Sequence, residues 1–334
     1  MEIATNGLEK ANLAYVFPGQ GSQFVGMGRE IYRKSRAARE IFDEVDEVLG
    51  MHLTRMVFEG PEEELNETIN SQPAIMATSL ACYGALDELK NSHLPKPGAV
   101  AGHSLGEYTS MVVSGVVDLA DGIRLVRERG RLMQEASALH PGSMAAIIGL
   151  EEETVEEVCH ETGAEVANIN GGDQIVISGD KMCVARAVDL ASIRGARKAV
   201  PLAVSGAFHS SLMSEASRGL AAAVNATDFR EPVVPIIGNS ICRPLTTAQD
   251  IKDELLSQLC NCVQWQRSVN LMMDLGISNF IEFGPGRVLG GLIKRIGNEP
   301  SHKDSHIEIA NVGDLDSVAK VAEAGYWNPQ IHHS

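Results

Sequence analysis

Gly102-His103-Ser104-Leu105-Gly106 lies between a short apolar run, Ala99-Val100-Ala101, and a segment of helical character. Gly-x-Ser-x-Gly between a strand and a helix is an arrangement that lifts a serine hydroxyl above the edge of a sheet. It also aims the backbone N–H of the next residue, Leu105, at the point where an oxyanion would form. The pattern is short, and a tight turn with a capping serine would carry the same letters. The flanking strand and helix favour a nucleophile. A serine hydroxyl at its free pKa reacts poorly, so a base must lie within reach.

The chain has ten histidines. His302, His306, His332 and His333 fall in a polar tail. His52, His140 and His160 sit at element ends or on exposed helix faces by pattern, and His93 lies in a proline-rich loop. His103, inside the elbow, can pack beside the serine but is poorly placed to face it. His209, in VSGAFHSSLM, follows the last strand of a small subdomain, at a junction of the kind where clefts form. Position alone leaves it open between a base and a structural loop histidine.

Two further segments bear on the same chemistry. FPGQGSQ (17–23) places glycines where backbone must approach a ligand closely, and Gln20 could supply a second oxyanion donor; a plain strand–turn–helix start reads the same way. Neither it nor EFGPGRVLGG carries the three-glycine dinucleotide fingerprint or the Lys-Ser/Thr of a phosphate loop. The helix around LVRERGRLMQEA holds Arg124, Arg127, Arg129 and Arg131. Most helical arginines are solvated, but a buried one would be a carboxylate receptor, because the guanidinium fork matches a carboxylate. Spacing does not say which one turns inward.

The elements that must position these residues follow from the hydrophobic pattern. Residues 1–11 are polar and read as frayed. A strand is expected over 13–17, a helix over 32–50, and a helix over 72–89 opened by Pro73 near its first turn. A strand then leads into Ser104. Residues 142–206 read β-α-β-β-α-β, the ferredoxin-like order. A strand at 233–239, a helix near 249–260 and a strand and helix across 279–297 complete the pattern. The expected fold is α/β, with a large α/β-hydrolase-like domain on a parallel-sheet core (12–141 and 207–300). A small ferredoxin-like subdomain (142–206) is inserted into it, followed by a C-terminal extension (301–334); the tail is polar from about 298, and its end, NPQIHHS, carries no usable signal.

With 334 residues, 44% of them apolar, the chain can bury a large core. A formal charge of −16 argues against non-specific binding to nucleic acid or to an anionic membrane. Any acidic partner would need a local basic patch, for which Arg194, Arg197 and Lys198 are candidates against the alternative of a solvated loop. The six cysteines show no C-x-x-C or His/Cys ligand spacing, which reads as free thiols in a reducing compartment. No leader pattern or span-length apolar run occurs, so a soluble, cytoplasmic protein is expected.

Taken together, FPGQGSQ, GHSLGEY, RGRLMQEA, GAFHS, CVQWQ and EFGPGRVLGGLIKR resemble the malonyl-CoA:acyl carrier protein transacylases, which are related to polyketide-synthase acyltransferase domains. The resemblance runs in order from about residue 13 to 297. It implies a ping-pong acyl transfer in which Ser104 attacks the malonyl thioester and His209 acts as base and then acid. It also implies an oxyanion hole from the N–H groups of Gln20 and Leu105, a carboxylate clamp at Arg129, and a backbone carbonyl near Gln264 that orients His209 in place of an aspartate. Asn170 and Asn239 would line the cleft. Phe208, in GAFH, matches the form that accompanies malonyl in related polyketide domains. The proline-serine pair common before the histidine of bacterial fatty-acid enzymes is absent, which leaves the pathway open. The implied partners are malonyl-CoA, as substrate, and an acyl carrier protein, with no cofactor or metal, no nucleic acid, no membrane, and a monomeric enzyme. The rival readings are a trans-acting polyketide acyltransferase, a serine thioesterase or hydrolase, and a non-catalytic carrier-binding module.

Overall fold

The structure, a computed structural model, describes residues 11–91, 93–204, 206–302 and 306–324. Most of the N-terminal stretch read as frayed, along with His332 and His333, lies outside the described residues. The strands are β1 (Leu13–Phe17), β2 (Ala99–Gly102), β3 (Gly142–Ile148), β4 (Glu165–Gly171), β5 (Gln174–Asp180), β6 (Lys198–Pro201), β7 (Ile236–Ile237), β8 (Pro244–Leu245), β9 (Asn279–Phe283) and β10 (Glu308–Val312). The helices of the first half are α1 (Arg29–Lys34), α2 (Arg36–Leu49), α3 (Leu53–Glu59), α4 (Glu62–Asn66), α5 (Thr68–Leu89), α6 (Gly106–Val113) and α7 (Leu119–Leu139). Those of the second half are α8 (Glu152–Thr162), α9 (Lys181–Ile193), α10 (Ser214–Ala226), α11 (Ala248–Gln258), α12 (Trp265–Asp274), α13 (Val288–Gly297) and α14 (Leu315–Ala324).

The larger sheet runs β10-β9-β1-β2-β7-β8, parallel except for the antiparallel pair β7–β8 at one edge. Its central strands are apolar on both faces because both faces are covered. Tyr15, Phe17 and Phe283 pack into one core, with the Tyr15 and Phe283 rings edge-to-face at 5.0 Å. Ala14, Val16, Ala101 and Phe280 pack into a second core on the other side. The carboxyl ends of β1, β2 and β9 lie side by side, and each leads into a glycine-bearing turn: Pro18-Gly19, Gly102 to Gly106, and Gly284 to Gly286. Ligand sites in open parallel sheets form at such ends.

The smaller sheet, ordered β4-β5-β3-β6, is antiparallel throughout. Along the chain its elements follow as β3-α8-β4-β5-α9-β6. Alternation splits β3 between two cores: Ala145 and Ile147 join the residues of α8 and α9, whereas Met144 and Ala146 join the core of the larger unit. The small sheet therefore lies with one face over the larger unit.

Three expectations change. The second long helix begins at Thr68 rather than near Pro73, which lies inside α5. Proline has no N–H for the carbonyl of Ile69, four residues back. That carbonyl accepts a bond from Arg127 Nη1 of α7 at 2.8 Å instead, and the Ile69 N–H is met by Gln134 Oε1 at 3.1 Å. The helix expected over 32–50 is broken at Ser35, whose hydroxyl caps α2 by accepting from the Ala38 N–H at 3.1 Å. The C-terminal segment, read only as a polar tail, supplies β10, which pairs in parallel with β9, and α14 packed beside it. Five residues, EIANV, are too few for periodicity to declare a strand; the partner decides it.

Among the described residues, no helix is long and apolar enough to cross a membrane. The approach of α6 to β1 is close enough that a side chain at Gly106 would overlap the Phe17 carbonyl. Gly106→Ala is therefore expected to cost at least about 2 kcal/mol in urea unfolding. Gly291→Ala, exposed in α13 with open space around it, should be neutral or stabilising by up to about 1 kcal/mol.

Candidate active site

Ser104 has a φ of +52°, a left-handed conformation that a non-glycine residue holds only when its surroundings impose it. The imposition comes from both sides. A side chain at Gly102 would overlap the backbone of Gly106, so the two glycines allow the turn to fold back on itself. Asn239, after β7, braces it from below: its Oδ1 accepts the Ser104 N–H at 2.6 Å and its Nδ2 donates to the Gly102 carbonyl at 2.7 Å. Asn239 is held in turn by Glu107, whose Oε1 accepts the Asn239 N–H at 3.0 Å.

The Ser104 hydroxyl faces two groups. His209 Nε2 lies 2.7 Å from Oγ, and Arg129 Nη2 donates to Oγ at 3.0 Å. His209, itself at a φ of +56°, lies 3.0 Å through Nδ1 from the backbone carbonyl of Gln258. A carbonyl only accepts, so this contact assigns the proton to Nδ1 and leaves the Nε2 lone pair toward the serine. Burial, followed by the nearby Arg129 charge, pushes the His209 imidazole down to about 3, so it stands neutral with the Nε2 lone pair unprotonated.

Here the sequence reading is corrected. The orienting carbonyl belongs to Gln258, not to the neighbourhood of Gln264. Gln258 ends α11, where the last carbonyls have no intrahelical donor and are free for other partners. Gln264 opens α12, donates its N–H to the Asn239 carbonyl at 2.8 Å and pairs its side-chain oxygen with Arg267. It supports the loop that holds Asn239.

Of the four arginines on α7, Arg129 is the one turned inward, at 1% exposure. It is held by Gln72 Oε1 at 2.8 Å from Nη1, by Gln258 Oε1 at 3.0 Å from Nη2, and by the Tyr108 ring, whose centroid lies 5.3 Å from the guanidinium carbon. Among the described residues, its Nε has no hydrogen-bond partner. The other three lie elsewhere: Arg124 and Arg131 pair with acidic neighbours on their own helix, and Arg127 serves α5.

A cavity of about 210 Å³ opens above the serine, lined by Gln20, Ser104, His209 and Phe208 with Met133 and Met144 among its apolar walls. Among the described residues, the backbone N–H groups of Gln20 and Leu105 have no hydrogen-bond acceptor in the protein. Asn170 borders the cavity but bonds through Oδ1 to His103 Nε2 at 2.8 Å, which turns His103 away from the serine. Asn239 is spent on the elbow and lines no part of the cavity. The basic cluster is mostly paired: Arg194 with Glu157 and Glu161, and Arg197 with Asp173 at 2.9 Å. Only Lys198 is left without a partner among the described residues. No group of three or more His, Cys, Asp or Glu side chains there could hold a metal ion.

Sequence reasoning missed Gln72, Glu107 and Gln258. One signal was available for the last. Ile251, Glu254, Leu255 and Gln258 share one face of α11, and all are buried. Two polar residues in a core-facing stripe demand partners.

Residues 14–317 match the family model described as the acyl transferase domain. A curated relative from Bacillus subtilis (strain 168), named malonyl CoA-acyl carrier protein transacylase, is 43% identical over 291 residues, covering 86% of this chain and 90% of its own length. The protein of the same name from Escherichia coli (strain K12) is 40% identical, covering 89% and 99%. Among solved structures, an acyl-carrier-protein-S-malonyltransferase from Bartonella henselae superposes with a TM-score of 0.88 at 39% identity, covering 93% of this chain and 98% of that one. A malonyl-transacylase solved in complex with a type II PKS acyl-carrier protein matches with the same TM-score and identity, covering 93% and 99%.

The lowered imidazole has a direct kinetic consequence. A base with an ordinary histidine pKa loses its lone pair as pH falls through about 6.5. With His209 held far lower, the rate at which a fluorophosphonate labels Ser104 should stay level from pH 8 down to about 5, with no inflection near 6.5. Mass spectrometry of the labelled protein against pH measures this.

Proposed function

The chain belongs to the acyl transferase domain family, and from that premise we propose that it moves a malonyl group from malonyl-CoA to the phosphopantetheine thiol of an acyl carrier protein. The observation that carries this reading is the Ser104 hydroxyl, bonded at once to a neutral base and to a buried guanidinium. His209 takes the hydroxyl proton on Nε2 as Oγ attacks the thioester carbonyl. The oxyanion is met by the N–H groups of Gln20 and Leu105, which have no other acceptor. The tetrahedral intermediate collapses with release of the CoA thiol, protonated by His209, and leaves malonyl-Ser104. The carrier thiol then repeats these steps in reverse order. Arg129 receives the malonyl carboxylate, and Phe208 closes the cavity beside it. The Gln258 carbonyl keeps His209 in one tautomer throughout.

Two features separate this from a serine hydrolase. His209 Nδ1 meets a backbone carbonyl rather than a carboxylate, and a hydrolase needs no buried arginine at its nucleophile. The neighbour solved with a type II PKS carrier supports a second choice of carrier, with identical chemistry at Ser104. Lys198 is the basic residue left to meet an acidic carrier. The reaction needs no cofactor, malonyl-CoA being a substrate. Unpaired cysteines support a reducing, cytoplasmic setting, and we take the enzyme to act as a monomer without nucleic acid or membrane. The two sheets support an α/β-hydrolase-like unit (12–141 and 207–300) with a ferredoxin-like insert (142–206), and a C-terminal extension (301–334) that reaches the larger sheet through β10.

Intact-protein mass after mixing with malonyl-CoA tests the reading. A malonyl adduct is expected on the wild type, absent from Ser104→Ala and discharged by added carrier protein. Consumption of malonyl-CoA and acetyl-CoA alike with no adduct would overturn it in favour of hydrolysis. Arg129→Ala should lose malonyl-over-acetyl preference by about 2–5 kcal/mol in kcat/KM, because acetyl leaves the buried guanidinium unpaired in the wild type.

A further inference from the structure

Every oxygen that holds Arg129 is uncharged. Its partners are the side-chain amides of Gln72 and Gln258, the Ser104 hydroxyl and the face of Tyr108. Among the described residues, no carboxylate stands within ion-pair distance of it. A buried cation without an anion is unfavourable, and a glutamate of nearly the same size at position 72 or 258 would relieve it. The chain has glutamine at both.

We infer that Gln72 and Gln258 are specificity-determining positioning residues, holding Arg129 through neutral oxygens so that its charge remains available to the substrate carboxylate. The inference rests on the malonyl-transfer reading and adds to it.

The geometry at Gln258 is constrained from both ends of the amide. Its Nε2 donates to the Ser104 carbonyl at 3.0 Å and to Glu107 Oε2, so its Oε1 must be the end that meets Arg129. The amide thus stands between the guanidinium and the nearby carboxylate of Glu107. Burial, with Glu254 next, also holds the Glu107 carboxyl well above the usual range, which weakens it further as a counter-charge. At Gln72 the amide nitrogen faces only the Met133 sulfur, at 3.2 Å, a weak acceptor. Among the described residues, Arg129 is the strong partner that orients that amide, and only the weak sulfur contact favours a nitrogen in place of a second oxygen. The neutral choice there is explained by the cation it serves. Any carboxylate placed on Arg129 by the protein would compete directly with the one on the substrate.

The test compares kcat/KM for malonyl-CoA and acetyl-CoA in the wild type and two variants at Gln72. Gln72→Glu is expected to lower the malonyl-to-acetyl ratio roughly tenfold or more, since the site then carries its own anion. Gln72→Met, of similar size and uncharged, removes the oxygen that holds Arg129 without adding an anion, and should lose at most about a third as much of the ratio as Gln72→Glu. A wild-type ratio in Gln72→Glu, or an equal loss in both variants, overturns the inference. If Gln72→Glu does not fold, the double variant Glu107→Gln with Gln258→Glu decides. It keeps the charge count and the bond between the two positions but sets the carboxylate against Arg129, and an unchanged ratio there overturns the inference as well. Failure of the underlying reading looks different: the wild type itself would then show no preference for malonyl-CoA.

Discussion

The contact between the amino end of α6 and the carboxyl end of β1 governs the site. Gly106 sits against the Phe17 carbonyl so closely that a methyl group does not fit, and Gly102 sits as closely against Gly106. This compression forces Ser104 into a left-handed conformation and turns its hydroxyl off the sheet edge. It also leaves the Leu105 N–H at the head of α6, where the helix dipole adds to its pull on an anion. The strain is held in place by Asn239 and, behind it, by Glu107, so a side chain three residues past the nucleophile helps keep the nucleophile's backbone in shape. The elbow is a tertiary construction made from a local motif.

A second constraint is the charge of Arg129. Burial depresses the neighbouring His209 imidazole first, and the guanidinium at 1% exposure lowers it further, because a protonated His209 would face a like charge in a medium that screens poorly. The same cation that would receive the substrate carboxylate thus adds to burial in keeping the imidazole neutral. Gln258 couples the two: its backbone oxygen sets the tautomer of His209, and its side-chain oxygen holds Arg129. One residue at the end of α11 therefore touches the base and the guanidinium, and through its amide nitrogen the backbone of the nucleophile.

Much of the fold was legible. β1 announces itself through its apolar run and flanking turn, with ends that agree with the sequence reading, and the order of elements over 142–206 follows the β-α-β-β-α-β pattern read there. The failures have local causes. Pro73 looks like a helix start until Arg127, from another helix, is seen to take over the orphaned carbonyl. β10 has no distinctive pattern because an edge strand of five residues takes its identity from the strand it joins.

By itself the sequence determined the reactive types and the motif around Ser104. Glycine spacing, a serine and a following helix are local facts that any fold must respect. It also narrowed the candidate base to His209 by what surrounds the other histidines, while leaving a structural loop histidine as the alternative. The tertiary structure decided which arginine is inside, which carbonyl holds the histidine, and that, among the described residues, the arginine is held by uncharged groups. Those choices depend on where α5, α7 and α11 meet at the end of β2. Burial, hydrogen-bond partners and depressed pKa values are properties of that meeting point, with no counterpart in the spacing of residues along one chain segment.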